Sequence, residues 1–231
     1  MRRLTPDPTE DVDLRAAYAV PEGRHVRANF VASLDGASTV DGKSAPLSND
    51  ADRALFQLLR TLADAVLVGA GTARAENYGG ARQVDGHAPV IAVVSRSLDF
   101  DPSSRLFGDT TRPPVIVTCA ASPEQPRAQL SDIADLVVAG EEQVDLALAL
   151  DALAERGLRR VLCEGGPHLL GSLASAGLLD ELCLTLAPVI AGGNAGRIVA
   201  GYLPTVVEPM RLQHVLEDDD HLFLRLSTAK D

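Results

Sequence analysis

A chain of 231 residues with 46% hydrophobic residues can bury a sizeable core, which excludes disorder over most of its length. Lys and Arg number 21 against 32 Asp and Glu, and the formal charge of -11 opposes nonspecific binding to nucleic acid or to an anionic membrane. Aromatic residues are only 3% and Trp is absent, so the core has to be built from Ala, Val and Leu, as in helices packed on a sheet.

Residues 1–24 are polar and acidic with several prolines and read as an arm or an irregular edge segment. Arg2 and Arg3 are followed by no apolar h-region, so no signal peptide is expected. No apolar run reaches membrane-spanning length, and the cytoplasm is the expected compartment. His25 to Leu34 has the β-branched and apolar content of a first strand, and Asp35 to Pro46 reads as a long loop. Leu55, Leu58, Leu59 and Leu62 follow at helical spacing, with Ser48 or Asn49 as the cap and Asp50 and Asp52 favourable in the first turn. Ala65 to Val68, Val90 to Val94, Val115 to Thr118 and Asp135 to Val138 are short strands, and Ala120 to Gln129 reads as a surface loop. A helix carrying Leu146, Ala149, Leu150 and Leu153 stops near Gly157. The strand Val161-Leu162-Cys163 then runs through a Gly-Gly turn into a helix to about Ala176, and Glu181 to Leu186 is again a strand. Met210 to Leu216 and His221 to Leu226 flank Glu217 to Asp220, which reads as a hairpin loop. Alternating strands and helices followed by a hairpin predict an α/β fold, one domain over 25–231, with a mostly parallel sheet ending in antiparallel strands.

Chemistry is concentrated where these strands end. Glu164-Gly165-Gly166-Pro167-His168 follows a buried strand, and paired glycines let the backbone turn and approach a ligand with no Cβ in the way. Pro167 suits the first helical position, and a helix start with open N–H groups favours a pyrophosphate. An ordinary βα turn without a ligand is the alternative reading. Gly69-Ala70-Gly71-Thr72 is a second glycine loop, lacking the third glycine of a dinucleotide fingerprint; in isolation it reads as a plain turn with Thr72 as a helix cap. Ser95-Arg96, after a third strand, has the hydroxyl and guanidinium that could hold a ribose 2′-phosphate, or forms a solvated surface pair. Ser33 to Gly36 ends the first strand on the same side. The cysteines at 119, 163 and 183 are odd in number and widely spaced, and the five histidines show no ligand spacing, so neither disulfide nor metal is expected.

Taken in order, N-F-V-A-S-L-D-G (29–36), A-D-A-V-L-V-G-A-G-T (63–72), the short strand before Ser95, E-G-G-P-H-L (164–169), G-L-L-D-E-L (177–182) and A-P-V-I-A-G-G (187–193) resemble one family. It is the reductase domain of riboflavin biosynthesis, the C-terminal half of the bifunctional deaminase-reductase. The resemblance spans roughly residues 25 to 226, and its specificity lies in the ordered set. It implies a dihydrofolate-reductase-like three-layer α/β/α fold, usually in a homodimer. It also implies NADPH-dependent reduction of the ribosylamino group of a pyrimidine such as 5-amino-6-(5-phosphoribosylamino)uracil. Carried over by position, Val31, Ala32, Pro46, Gly69, Thr72, Glu76, Ser95, Arg96, Gly165, Gly166, Pro167, His168, Leu169, Leu170, Gly171 and Ser172 face the cofactor. Ser33, Asp35, Ser44, Arg60, Arg82 and Glu164 face the substrate, the two arginines toward its phosphate, and Glu76 and Glu164 are the candidate catalytic carboxylates.

Departures from the family pattern fall on the substrate side. Ala37 replaces the lysine of S-L-D-G-K, Pro46-Leu47-Ser48 replaces W-I-T, and Glu76 stands in E-N-Y-G-G-A-R where an aspartate is usual. No H-x-E with P-C-x-x-C occurs, so no deaminase half is expected in this sequence. Two rivals stay open: a dihydrofolate- or pteridine-type reductase on the same fold, and a nucleotide-binding module without turnover.

Overall fold

Short apolar strands alternating with one-faced helices can bury both only if helices cover the two faces of a sheet. The structure, a computed structural model, describes residues 1–80, 86–108, 110–201 and 209–229 and has this arrangement. Its strands are β1 (Arg2–Thr5), β2 (His25–Ser33), β3 (Ala65–Gly69), β4 (Val90–Val94), β5 (Val115–Thr118), β6 (Asp135–Val138), β7 (Arg160–Gly165), β8 (Glu181–Ala187), β9 (Met210–Asp218) and β10 (His221–Thr228). They form one sheet in the order β1-β9-β10-β8-β2-β7-β3-β4-β5-β6. From β8 to β6 every pairing is parallel, while β10 joins β8, β9 joins β10 and β1 joins β9 antiparallel.

The helices are α1 (Leu14–Ala17), α2 (Asp50–Thr61), α3 (Ala70–Ala75), α4 (Arg105–Gly108), α5 (Glu124–Leu130), α6 (Leu146–Glu155) and α7 (Pro167–Ser175). Leu150 and Leu153 of α6 and Leu170 and Leu173 of α7 pack with Val26, Ala28, Ala65, Leu67 and Val161 on one face. Leu55 and Leu59 of α2, Ala73 of α3, Leu106 of α4 and Leu130 of α5 pack with Val66, Val68, Ile91 and Leu162 on the other. Alternation along each strand divides its side chains between these layers. Asn49 caps α2, its side chain accepting from the Asp52 N–H at 2.8 Å.

Three local expectations are sharpened or corrected. Residues 1–24 take the edge-segment form of the expectation and not that of an arm: β1 is the edge strand of the sheet, and Tyr18 after α1 is fully buried in one core cluster with Phe223 and Leu216. The segment 120–129 is not all loop, because α5 tolerates Pro123 as its cap and Pro126 within its first turn, where no intrahelical N–H bond is lost. The hairpin loop shrinks to Asp219 and Asp220, both at positive φ (48 and 60) as a two-residue turn requires.

Beneath Tyr18 lies a buried ion cluster. Glu181 pairs with Arg27 and, at 2.7 Å, with Arg225, joining β8, β2 and β10. Burial pushes the Glu181 carboxyl up, yet His25, Arg27 and Arg225 hold it well below the usual carboxylate range. His214 on β9, edge-on to the Tyr18 ring, is lowered from 6.5 to about 4, first by burial and then by the Arg225 charge. The unfolded chain thus takes up a proton near pH 6.5 that the native state refuses until about pH 4. His214 therefore contributes nothing to pH dependence above that window, and stability falls as pH drops through it. His214→Leu is expected to remove that part of the acid loss, roughly 3–8 °C in melting temperature between pH 7 and 4.5. Parallel melting curves for the variant and the parent across this range would refute the assignment.

Candidate active-site cleft

The carboxyl ends of β2, β3 and β7 open into a cleft of about 650 Å³, where parallel sheets place their ligand sites. Its lining includes Thr72 and the Gly165-Gly166-Pro167 turn, together with α2 and the loops around Ser44 and Tyr78.

The glycine turn is tightly fitted. Gly165 has φ +154, and a Cβ on it would lie 2.8 Å from Thr72 Cγ2. A Cβ on Gly166 would lie 2.6 Å from Thr72 Oγ1. Gly166 caps α7 with no side-chain hydrogen bond, Pro167 follows, and the first helical bond is Leu170 N–H to the Gly166 carbonyl at 3.1 Å. The N–H groups of His168 and Leu169 therefore have no intrahelical acceptor, at the positive end of the helix dipole. A cradle without Cβ atoms beside an uncapped helix start fits a pyrophosphate. Thr72 does not cap a helix, since α3 starts at Ala70 with Gly69 as its cap, and its hydroxyl is left facing Gly166.

Another part of the lining is built on ion pairing. Arg60 Nε and Nη2 donate to Glu164 Oε1 and Oε2 at 2.7 and 2.6 Å, and the Tyr78 hydroxyl donates to Oε2 at 2.9 Å. The Glu164 side chain is 0% exposed and the Arg60 side chain 17%. The guanidinium also lies 4.4 Å over the Phe56 ring and 5.6 Å over that of Tyr78. Burial opposes the Arg60 charge, but the Glu164 carboxylate raises its pKa above the ordinary value. Burial first, and then the Glu164 charge, raise the Tyr78 hydroxyl well above its ordinary value. At the first turn of α2, Asp52 accepts from Ser48 Oγ at 2.6 Å and from Thr185 Oγ1 at 2.7 Å. Ser44 Oγ stands 3.5 Å from Glu76 Oε1.

Of the residues expected at a site, Val31, Ser44, Arg60, Thr72, Glu76, Glu164, Gly165, Gly166 and Pro167 line this cleft. Others serve elsewhere. Asp35 bonds the Ser33 hydroxyl and the N–H groups of Ala191 and Gly192 at 3.0 and 2.8 Å, clamping two loops, and its carboxyl is lowered to about 2 by them. Ser33 is buried, Leu169 and Leu170 belong to the core, and Gly171 packs under the Ala200 carbonyl. His168 packs beside Gly201, and Ser172 Oγ bonds the His168 carbonyl at 3.0 Å. Ala32, Pro46 and Gly69 adjoin lining residues without lining the cleft themselves. Ser95 Oγ accepts from the Leu98 N–H at 3.0 Å, and Arg96 Nε donates to the Glu142 carbonyl at 2.8 Å, both outside the cleft at the end of β4. Arg82 lies outside the described residues. Glu164 and Arg60, both expected on the substrate side, line the cleft as a mutual ion pair. Asn29, Asp52, Phe56 and Tyr78 line the cleft without having been expected there.

Comparison with known proteins is consistent with this geometry. The family profile described as "RibD C-terminal domain" matches residues 24–224. The 2,5-diamino-6-ribosylamino-4(3H)-pyrimidinone 5′-phosphate reductase of Archaeoglobus fulgidus is 33% identical over 182 residues, 74% of this chain and 83% of that protein. A pyrimidine reductase-like protein from Corynebacterium diphtheriae superposes with a TM-score of 0.84 at 29% identity, covering 94% of this chain and 99% of its own. Dihydrofolate reductase from Enterococcus faecalis, 12% identical, shares the fold with a TM-score of 0.51 over 89% of this chain and 97% of its own.

Proposed function

The chain belongs to the RibD C-terminal domain family, and on that premise we propose that it is an NADPH-dependent reductase of a phosphoribosylaminopyrimidine in riboflavin biosynthesis, acting as a cytoplasmic homodimer. The observation that carries this reading is the cleft itself, whose lining combines a Cβ-free anion cradle with a polar, ion-paired surface. Bound NADPH would supply the hydride that reduces the ribosylamino carbon. The chain's own residues bind, orient and exclude water. The α7 start with Gly165, Gly166 and Thr72 holds the pyrophosphate, and Val31 supports the cofactor from β2. Glu76, beside Ser44, is the carboxylate assigned to orienting or protonating the sugar. Glu164 acts at one remove, fixing Arg60 and Tyr78 as the rigid floor of the substrate side.

The test is NADPH absorbance at the nicotinamide band with the pyrimidine phosphate as substrate. Oxidation with a ribitylamino product supports the reading. Oxidation with dihydrofolate alone would move the enzyme to the pteridine reductases, and binding without oxidation would leave a nucleotide-binding module.

Cofactor choice is assigned to Arg96. It follows β4 at the same end of the sheet as the cleft, its Nε is held by Glu142, and among the described residues its Nη groups bond to nothing. Arg96→Ala is expected to weaken NADPH binding about tenfold while leaving NADH binding unchanged, as loss of one charge-assisted phosphate contact would. Equal changes for the two cofactors in a binding titration would remove this role.

A further inference from the structure

Asp52 is a carboxylate in the cleft that the proposed reduction leaves without a task. It is 8% exposed and lines the cavity, on the first turn of α2. Among the described residues no cation pairs with it; its partners are the Ser48 and Thr185 hydroxyls, one on each carboxylate oxygen, and Thr185 is itself 1% exposed. A buried carboxylate costs folding free energy unless something compensates it. Two hydroxyls fix its orientation and leave each oxygen with further acceptor capacity. Asn29 adds a second, independent sign. It is 8% exposed, lines the same cleft, and its Oδ1 is buried without a partner. Asn29 and Val31 alternate onto the α2 side of β2, and Val31 pairs in register with Thr185. This part of the cleft therefore holds a carboxylate with acceptor capacity to spare and an unpaired amide oxygen.

We propose that Asp52, supported by Asn29, is the specificity residue that reads the ring edge of the substrate and selects a 2-amino-4-oxopyrimidine over a 2,4-dioxopyrimidine. The inference rests on the reductase reading above. In the 2-amino-4-oxo ring, N3–H and the exocyclic amino group point the same way, forming a two-donor edge that a carboxylate accepts as a fork. In the uracil ring the same edge carries N3–H beside O2, and O2 would face a carboxylate oxygen with no hydrogen between them. A site built on buried acceptors rejects an analogue that lacks the matching donor, because its polar groups are left unpaired.

The experiment uses the full chain with NADPH and two substrates, 2,5-diamino-6-ribosylamino-4(3H)-pyrimidinone 5′-phosphate and 5-amino-6-(5-phosphoribosylamino)uracil. The parent protein is expected to favour the diamino compound in kcat/KM by about tenfold or more. Asp52→Asn, which cannot accept at both positions, is expected to reduce that preference about tenfold or more, mainly through KM for the diamino compound, with the uracil compound little affected. A parent protein that uses both equally, or prefers the uracil, overturns the assignment, whether or not the variant folds. An equal loss on both substrates in Asp52→Asn also overturns it, by making Asp52 a structural residue. Turnover of neither compound by the parent brings down the reductase reading itself, and this inference with it.

Discussion

Glu164→Ala is expected to cost about 3–5 kcal/mol of folding stability, because it strands a buried guanidinium. Arg60 is 17% exposed and gives two hydrogen bonds to Glu164 at 2.7 and 2.6 Å. Without them its charge is left against the faces of Phe56 and Tyr78, which attract a cation far less than a carboxylate does. For a chain of this size the melting temperature should fall by roughly 10 °C or more. Turnover should fail as well, since Arg60 and Tyr78 would no longer be held at the cleft wall. Glu164→Gln keeps the shape and one acceptor oxygen, so its melting loss should be smaller than that of the alanine variant. Calorimetry of the two variants beside the parent decides the matter. An alanine variant that melts within about 2 °C of the parent would mean that solvent compensates Arg60 and the pair is not a closed one.

Gly166→Ala should be the most damaging change on the cofactor side. Its Cβ would lie 2.6 Å from Thr72 Oγ1, closer than packed atoms tolerate, and a Cβ on Gly165 would likewise lie 2.8 Å from Thr72 Cγ2. Overpacking of this kind costs about 1–3 kcal/mol. The larger effect is on binding. Thr72 and Gly166 both line the cleft, so the added methyl occupies space at the uncapped start of α7. NADPH affinity is expected to fall about a hundredfold, the equivalent of losing two charge-assisted contacts. Thr72→Ala in the same chain should restore the melting temperature and leave most of the affinity loss in place. A double-mutant cycle measures this directly. Strictly additive melting changes would show that the two residues do not touch, and normal affinity in Gly166→Ala would remove the cradle.

The parallel strands were legible because each is a β-branched run closed by glycine, proline or a polar turn. Val90–Val94, Val115–Thr118 and Asp135–Val138 keep their expected limits in the structure. The glycine turn after β7 was legible for the same reason: adjacent glycines after a buried strand have few other uses. What stayed hidden was pairing. Glu164 and Arg60 are 104 positions apart, and nothing local in either segment announces that each is the other's partner. Phe56 lies one helical turn before Arg60 and Tyr78 lies in a loop followed by two glycines, and neither segment signals that the guanidinium lies over both rings. Asp52 did carry a signal. It stands three residues before Leu55 and seven before Leu59, on the stripe that α2 buries, and its favourable place near a helix start concealed how unusual a carboxylate is on that stripe. Tyr18 was hidden differently, since only the arrival of β9 and β10 gives it a core to enter.

The sheet order has a consequence for how the chain is made. Every described residue of the cleft lies before β8, yet β8 is flanked on its outer side by β10, which is synthesised well after it. During synthesis Glu181–Ala187 stands as an open edge, an apolar strand with unpaired N–H and carbonyl groups, and such edges recruit other chains. Pairing across so long a stretch of sequence is also slow. The antiparallel ribbon of β9 and β10 therefore closes that edge, protecting by backbone hydrogen bonds a cleft to which it lends no lining side chain.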